Sequence, residues 1–330
     1  MDEVTEATEG RAGMLYPYQR DGVAFLRCQR RAYLADEMGL GKTVQAVVAA
    51  RESRPSSTVV VCPASVVENW KREWAAWDGP SGLEVISYAK LIRRARTENL
   101  RSDLVILDEA HYCKSPGAKR SKAALAVAAR AKQAWLLSGT PMPNHATELF
   151  SVFKALWPEY CAEWGTTTAF KWLDFFCNWG ESDYGPRVWG NKPTVVSHLK
   201  PALKKIMLRR RLDEIALELP PLRVTTQYLP QDPELAGRLE ELGVEGDLEH
   251  MSTLRRVLGE YKAPRVAQVL REELAEGQDM VVLYHHRDTG EELRQGLASH
   301  ANVWGFDGST PRSEERRGGN EGGGRGGGGL

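Results

Sequence analysis

Hydrophobic positions along the chain gather into short runs separated by stretches of helical spacing. The runs Ala32–Ala35, Thr58–Cys62, Leu83–Ser87, Leu104–Leu107 and Gln133–Leu137 have the length and β-branched or apolar content of buried strands. Between them lie an amphipathic segment, Leu15–Leu26, an apolar helix start at Thr43–Ala50, and a helix over Val66–Trp77. A basic helix carrying Arg93, Arg94 and Arg96 follows the Leu83 run. Strands alternating with helices at this spacing predict an α/β fold with a parallel, doubly wound sheet. Trp70, Trp74 and Trp77 stand at i, i+4 and i+7, a stripe that reads as core packing rather than a stacking platform.

After Leu156 the pattern changes. Trp157, Trp164, Trp172, Trp179 and Trp189 crowd together with Phe170, Phe175 and Phe176, and their helical spacing predicts a packed helical protrusion. Lys204–Arg211 then reads K-K-I-M-L-R-R-R, a solvated charged face or a contact for a polyanion. Gln231–Gly277 is charged and helix-patterned, with Pro264 expected to interrupt it. Met280–His286 and Asn302–Phe306 read as two further strands; His285 and His286 are adjacent, so in a strand they face opposite ways and cannot chelate together.

Composition narrows the function classes. Lys plus Arg and Asp plus Glu both number 44, so no global field attracts a polyanion, and any such binding must come from local patches. The cysteines Cys28, Cys62, Cys113, Cys161 and Cys177 form no ligand-spaced cluster and read as free thiols of a reducing compartment. The N-terminus is acidic and polar, unlike a signal peptide, and no apolar stretch approaches a membrane span. The expectation is a soluble protein of the cytoplasm, not secreted and without a membrane partner.

Candidate chemistry concentrates where strands end. Tyr33–Thr43 reads Y-L-A-D-E-M-G-L-G-K-T and leads straight into a helix. Strand, glycine loop, Lys-Thr and helix is the order of a phosphate-binding loop: backbone amides and the positive helix end meet phosphates, Lys42 reaches the terminal ones, and the Thr43 hydroxyl can hold Mg²⁺. The usual pattern has Gly where this chain has Asp36. The strand Leu104–Leu107 ends in D-E-A-H, where Asp108 can hold Mg²⁺ and Glu109 can position or deprotonate water. Gln19, upstream, carries donors and an acceptor able to read an adenine edge. The strand ending at Leu137 runs into S-G-T-P.

In this order the motifs resemble the superfamily-two, Swi/Snf-type helicase-like ATPases, nearest the HARP-like annealing-helicase branch and its small phage and bacterial relatives. The resemblance rests on P-Y-Q-R-D-G (Pro17–Gly22), D-E-M-G-L-G-K-T (Asp36–Thr43), V-V-C-P-A-S (Val60–Ser65), D-E-A-H (Asp108–His111) and L-S-G-T-P-M-P-N (Leu137–Asn144). It continues in M-L-R-R-R (Met207–Arg211), E-L-P-P-L (Glu218–Leu222) and D-G-S-T-P-R-S-E-E-R (Asp307–Arg316). Asp36 fits, because this family commonly carries Asp there. The resemblance implies a RecA-like ATP-binding lobe at 14–158, after a leader at 1–13. It implies a protrusion at 159–222, a helical linker at 223–277 and a partial second RecA-like lobe at 278–317, with a Gly-rich tail at 318–330.

The same resemblance implies roles for single residues. Gln19, Asp36, Gly39, Gly41, Lys42, Thr43 and Asp108 would serve ATP, with Thr43 and Asp108 on Mg²⁺ and with Lys42, Asp108 and Glu109 in catalysis. His111 would couple the site to its neighbours. Pro63, Ser65, Ser138, Gly139, Thr140, Arg209 and Arg210 would lie toward double-stranded or branched DNA. The implied activity is DNA-dependent ATP hydrolysis driving movement on duplex DNA.

The pattern breaks after Arg317, where nine of the last thirteen residues are glycine, a composition that cannot bury a core. The expectation is an incomplete second lobe that lacks the arginine completing the ATP site, by truncation or frameshift. Two other readings follow: an ATP-gated DNA-binding module that does not hydrolyse, and a half-motor completed in trans by a second polypeptide.

Overall fold

The computed structural model describes residues 15–95, 100–182, 185–215, 248–275 and 280–305, with a few isolated positions besides. The chain divides into two compact units, Met1–Pro220 and Pro221–Leu330.

The first unit is built on α1 (Pro17–Cys28), β1 (Arg31–Leu34), α2 (Lys42–Ser53), β2 (Thr58–Cys62), α3 (Val67–Ala76) and β3 (Leu83–Ser87). It continues with α4 (Tyr88–Arg94), β4 (Leu104–Asp108), α5 (Lys119–Arg130) and β5 (Gln133–Leu137). The predicted strands all form, and every ladder in their sheet is parallel. Because successive side chains point to opposite faces, each strand feeds two cores. Tyr33, Val59, Val61, Val105, Leu107 and Leu136 pack on one face with Leu91, Leu125 and Phe153. Leu34, Val60, Ile106, Trp135 and Leu137 pack on the other with Leu26, Val47, Trp70 and Trp74. Both faces covered by helices is the doubly wound arrangement, and it explains why the strands read as unbroken apolar runs.

The segment expected as a helical protrusion turns out differently in two respects. Helices α6 (Phe150–Leu156), α7 (Pro158–Glu163) and α8 (Ala169–Phe176) are followed by an antiparallel hairpin of β6 (Cys177–Ser182) and β7 (Gly185–Asn191). Helical spacing holds only as far as Phe176, and Gly180, Gly185-Pro186 and Gly190 favour extended and turned backbone beyond it. Trp172 and Phe176 are buried, with ring centroids 4.7 Å apart, whereas Trp189 on the hairpin is exposed. After α9 (Lys200–Ile206), β8 (Met207–Leu208) pairs parallel with β1, so the chain returns to the main sheet. The full strand order is β3-β2-β4-β5-β1-β8. Two residues carry no readable periodicity, which is why this strand is silent in the sequence. A short α10 (Leu212–Ile215) follows.

In the second unit, α11 (Leu248–Ala275) packs on α12 (Arg287–Leu297) through Ala263, Ala267, Leu293 and Leu297. Pro264 lies inside α11 and does not interrupt it. Ala263 and Ala267, on either side of it, are buried against α12, and that packing offsets a cost of about 3 kcal/mol for a proline inside a helix. Met280–Tyr284 and Asn302–Gly305 are not strands: the described residues offer no partner strand to either, and Val281 and Leu283 are almost fully exposed.

The expected leader at 1–13, Arg96, the Glu218–Leu222 motif, most of the first part (223–247) of the 223–277 linker, and 306–330 with the Asp307–Arg316 motif and the Gly-rich stretch lie outside the described residues. All five cysteines are free, and no helix among the described residues is long and apolar enough to cross a membrane.

Candidate active site

The C-terminal ends of β1, β2, β4 and β5 share one edge of the sheet, with Leu34 and Asp108 both registered against Leu137. That edge is where open α/β sheets bind ligands. After β1 the backbone turns through Gly39 (φ 87°) and Gly41 (φ 71°), the left-handed region that glycine enters freely. Gly41 is the N-cap of α2. A side chain there would stand 2.5 Å from Gln19 Nε2, so Gln19 would have to move away from the loop. The loop therefore aims the free amides of the α2 N-terminus into the cleft, a ready anion site.

Lys42 folds back onto the loop, donating to the carbonyls of Asp36 (2.8 Å) and Glu37 (3.0 Å). Burial lowers its ammonium below the ordinary lysine value, although Glu109, Asp36 and Asp108 pull the other way. Thr43 is the next residue of α2. Gln19 accepts from the Tyr16 amide (3.1 Å) and extends its own amide toward the Leu40 carbonyl (3.5 Å), which sets α1 against the loop.

Asp108 ends β4. Trp70 Nε1 donates to its Oδ2 (2.7 Å), the Glu109 amide to its Oδ1 (2.9 Å), and the Tyr88 hydroxyl to its carbonyl (2.8 Å). Burial raises the Asp108 carboxyl above the usual range, partly offset by the Trp70 hydrogen bond. Glu109 takes a left-handed backbone (φ 48°), a conformation worth about 1–3 kcal/mol of strain in a non-glycine residue. Its Oε2 is buried without a hydrogen bond among the described residues. His111 Nδ1 lies 3.1 Å from both Glu109 Oε2 and Ser138 Oγ, but hydrogen-bond geometry is met only toward Ser138. The Thr140 amide donates to the same hydroxyl (3.2 Å). D-E-A-H and S-G-T-P are thus joined by a direct side-chain link.

Three expectations change here. Ser138 and Gly139 are buried and turn inward: Ser138 meets His111, and Gly139 lies against Met38, with Lys42 Nζ just beyond. Of the S-G-T triplet only Thr140 is exposed. Arg209 and Arg210 sit beside β1 and donate into the loop: Arg209 Nη1 to the carbonyls of Ala35 (3.2 Å) and Gly139 (3.1 Å), Arg210 to the Asp36 carboxylate. The Arg210 guanidinium is thereby committed to Asp36 and largely buried, not a free cation on the surface. Asp36 is fully buried beneath it, so its carboxylate faces Arg210 rather than a nucleotide. Pro63 and Ser65 stand at the end of β2, with Ser65 exposed.

The sequence matches the family described as SNF2-related domain over residues 18–91 and 85–234. The chain belongs to this family. It is 34% identical over 238 residues to the DNA annealing helicase and endonuclease ZRANB3 of Bos taurus, spanning 63% of this chain and 22% of that protein. It is 31% identical over 230 residues to the SWI/SNF-related matrix-associated actin-dependent regulator of chromatin subfamily A-like protein 1 of Xenopus laevis, spanning 63% of this chain and 23% of that one. The chain therefore spans about a fifth of the length of these relatives. The solved Sulfolobus solfataricus SWI2/SNF2 ATPase core in complex with dsDNA aligns with 86% of this chain and 70% of its own, at 22% identity and a TM-score of 0.49.

In this SNF2-related site, sequence reasoning missed two residues. Trp70 reads as core, and it is buried; yet a buried indole N–H usually finds an acceptor, which here is the Asp108 carboxylate. Gln45, buried in α2, donates to Asp36 Oδ2 (3.1 Å) and the Leu40 carbonyl (3.0 Å). A glutamine inside the apolar run Val44–Ala50 was its signal.

Proposed function

We propose that the chain hydrolyses ATP in a DNA-dependent manner and uses it to move on duplex or branched DNA. The observation that carries this is the convergence of the phosphate loop, Asp108–Glu109 and the His111–Ser138 pair at one sheet edge, in a chain of the SNF2-related family. The donor set suits Mg²⁺, which prefers hard oxygen ligands: the Thr43 hydroxyl and the Asp108 carboxylate would hold it. The cleft suits a triphosphate: the α2 amides and Lys42 supply positive ends, and the left-handed glycines leave room.

When bound, Mg²⁺·ATP supplies a transferable terminal phosphoryl group whose charge the metal partly neutralises. The protein's own work is positioning. Lys42 would exchange its two loop carbonyls for phosphate oxygens. Glu109 Oε2, which accepts no hydrogen bond from the described residues, would orient a water and take its proton. The His111–Ser138 bond would carry the state of Glu109 to the Thr140 loop. Pro63, Ser65 and Thr140, at the same edge, would approach the DNA backbone. Displacement of a third strand from a triplex-bearing duplex, dependent on ATP, tests the movement; displacement without nucleotide contradicts it.

A further inference from the structure

Asp36 is the residue at which the phosphate loop departs from the usual pattern, and it is fully buried. Arg210 grips it as a fork: Nε donates to Oδ1 at 2.9 Å and Nη2 to Oδ2 at 2.5 Å. Nη2 also meets Gln45 Oε1 at 2.9 Å, and Nη1 donates to the Tyr18 carbonyl. Gly22 of α1 makes room for this cluster, since a side chain there would lie 1.7 Å from Gln45 Oε1 and 2.9 Å from Arg210 Nη2. The backbone reinforces it. The Ala35 amide donates to the Leu208 carbonyl (2.7 Å), the Glu37 amide to the Arg210 carbonyl (3.0 Å), and the Leu212 amide to the Glu37 carboxylate (2.6 Å). Loop residues Ala35–Glu37 are thus laid along the segment 208–212.

We propose that Arg210 is a positioning residue for nucleotide binding, acting through Asp36 to fix the first limb of the phosphate loop. This rests on the nucleotide reading above. The carbonyls that hold Lys42 belong to Asp36 and Glu37, the two residues the latch restrains. A loop that slackens at Asp36 therefore misplaces the Lys42 ammonium and the amides that follow. Buried ion pairs add little net stability, because desolvation offsets their attraction; what the bidentate fork supplies here is geometry. Lysine in place of Arg210 keeps the charge and loses the fork.

The test is calorimetric affinity of the full chain for Mg²⁺·ADP, with hydrogen exchange and melting measured alongside. Wild type is compared with Arg210→Lys, Asp36→Asn and the double variant Asp36→Asn/Arg210→Met. Arg210→Lys is expected to bind at least tenfold more weakly, with faster amide exchange confined to residues 35–43. The double variant should bind no more weakly than the weaker single variant, because the two residues act as a unit. Unchanged affinity in Arg210→Lys with only a lower melting temperature overturns the proposal and leaves a structural brace. If wild type itself binds no nucleotide, the nucleotide reading fails separately. Exchange at 35–43 then decides the latch: faster in Arg210→Lys supports it, and unchanged refutes it.

Discussion

The indole N–H of Trp70 donates to Asp108 Oδ2 at 2.7 Å, tying the buried face of α3 to the end of β4. One side chain thereby serves the core and the site. With the Glu109 amide on Oδ1, it leaves the carboxylate little freedom to rotate, so the oxygens proposed for Mg²⁺ are aimed before any ligand arrives. Trp70→Phe keeps most of the packing and removes the donor. A hydrogen bond to a charged group is worth about 1.5–3 kcal/mol, so the half-saturating Mg²⁺ concentration for ATP turnover should rise on the order of tenfold or more. A magnesium titration of turnover checks this; an unshifted midpoint returns Trp70 to packing alone.

Lys42→Met should abolish detectable nucleotide binding in calorimetry, because the ammonium at the terminal phosphates is gone. It should also raise the melting temperature of the nucleotide-free protein at neutral pH. Burial lowers the Lys42 value, and a base so shifted costs stability below its lowered value, where it is charged in both states. That cost is relieved as pH rises toward the ordinary lysine value. The stability difference between variant and wild type should therefore shrink in alkaline solution, which melting curves across pH would show.

Glu109→Gln should bind nucleotide as wild type does and lose turnover by about 100-fold or more, the range of general base catalysis. The carboxylate is the reason: an amide cannot accept the water's proton. Binding by calorimetry and phosphate release by a coupled assay separate the two effects.

The main sheet was legible because buried parallel strands read as apolar runs, and the loop was legible because Gly39 and Gly41 take the left-handed backbone that glycine enters freely. What could not be read was the long-range pairing. Nothing near Asp36 in the chain announces Arg210, and Met207–Leu208 is too short to show a period; its strand exists only because β1 offers an open edge. The charge run Lys204–Arg211 looks alike along its length, yet after β8 the Arg210 side chain turns inward while Arg209 and Arg211 stay exposed. Likewise the aromatic spacing that reads as helix through Phe176 continues into a hairpin whose glycines carry the decisive information.

Ser138→Ala removes the hydroxyl that joins His111 to the Thr140 amide. Basal hydrolysis should stay within about twofold of wild type, since the proposed metal and water residues are untouched. Stimulation by duplex DNA should fall severalfold, because the link between the two motifs is cut. Equal stimulation in variant and wild type would remove Ser138 from the coupling role.

The most direct test of the account is phosphate release from Mg²⁺·ATP by the purified chain, measured with and without blunt duplex and forked DNA. The account predicts turnover that rises on adding DNA and disappears in Glu109→Gln. Nucleotide binding with no turnover under any of these conditions would contradict it.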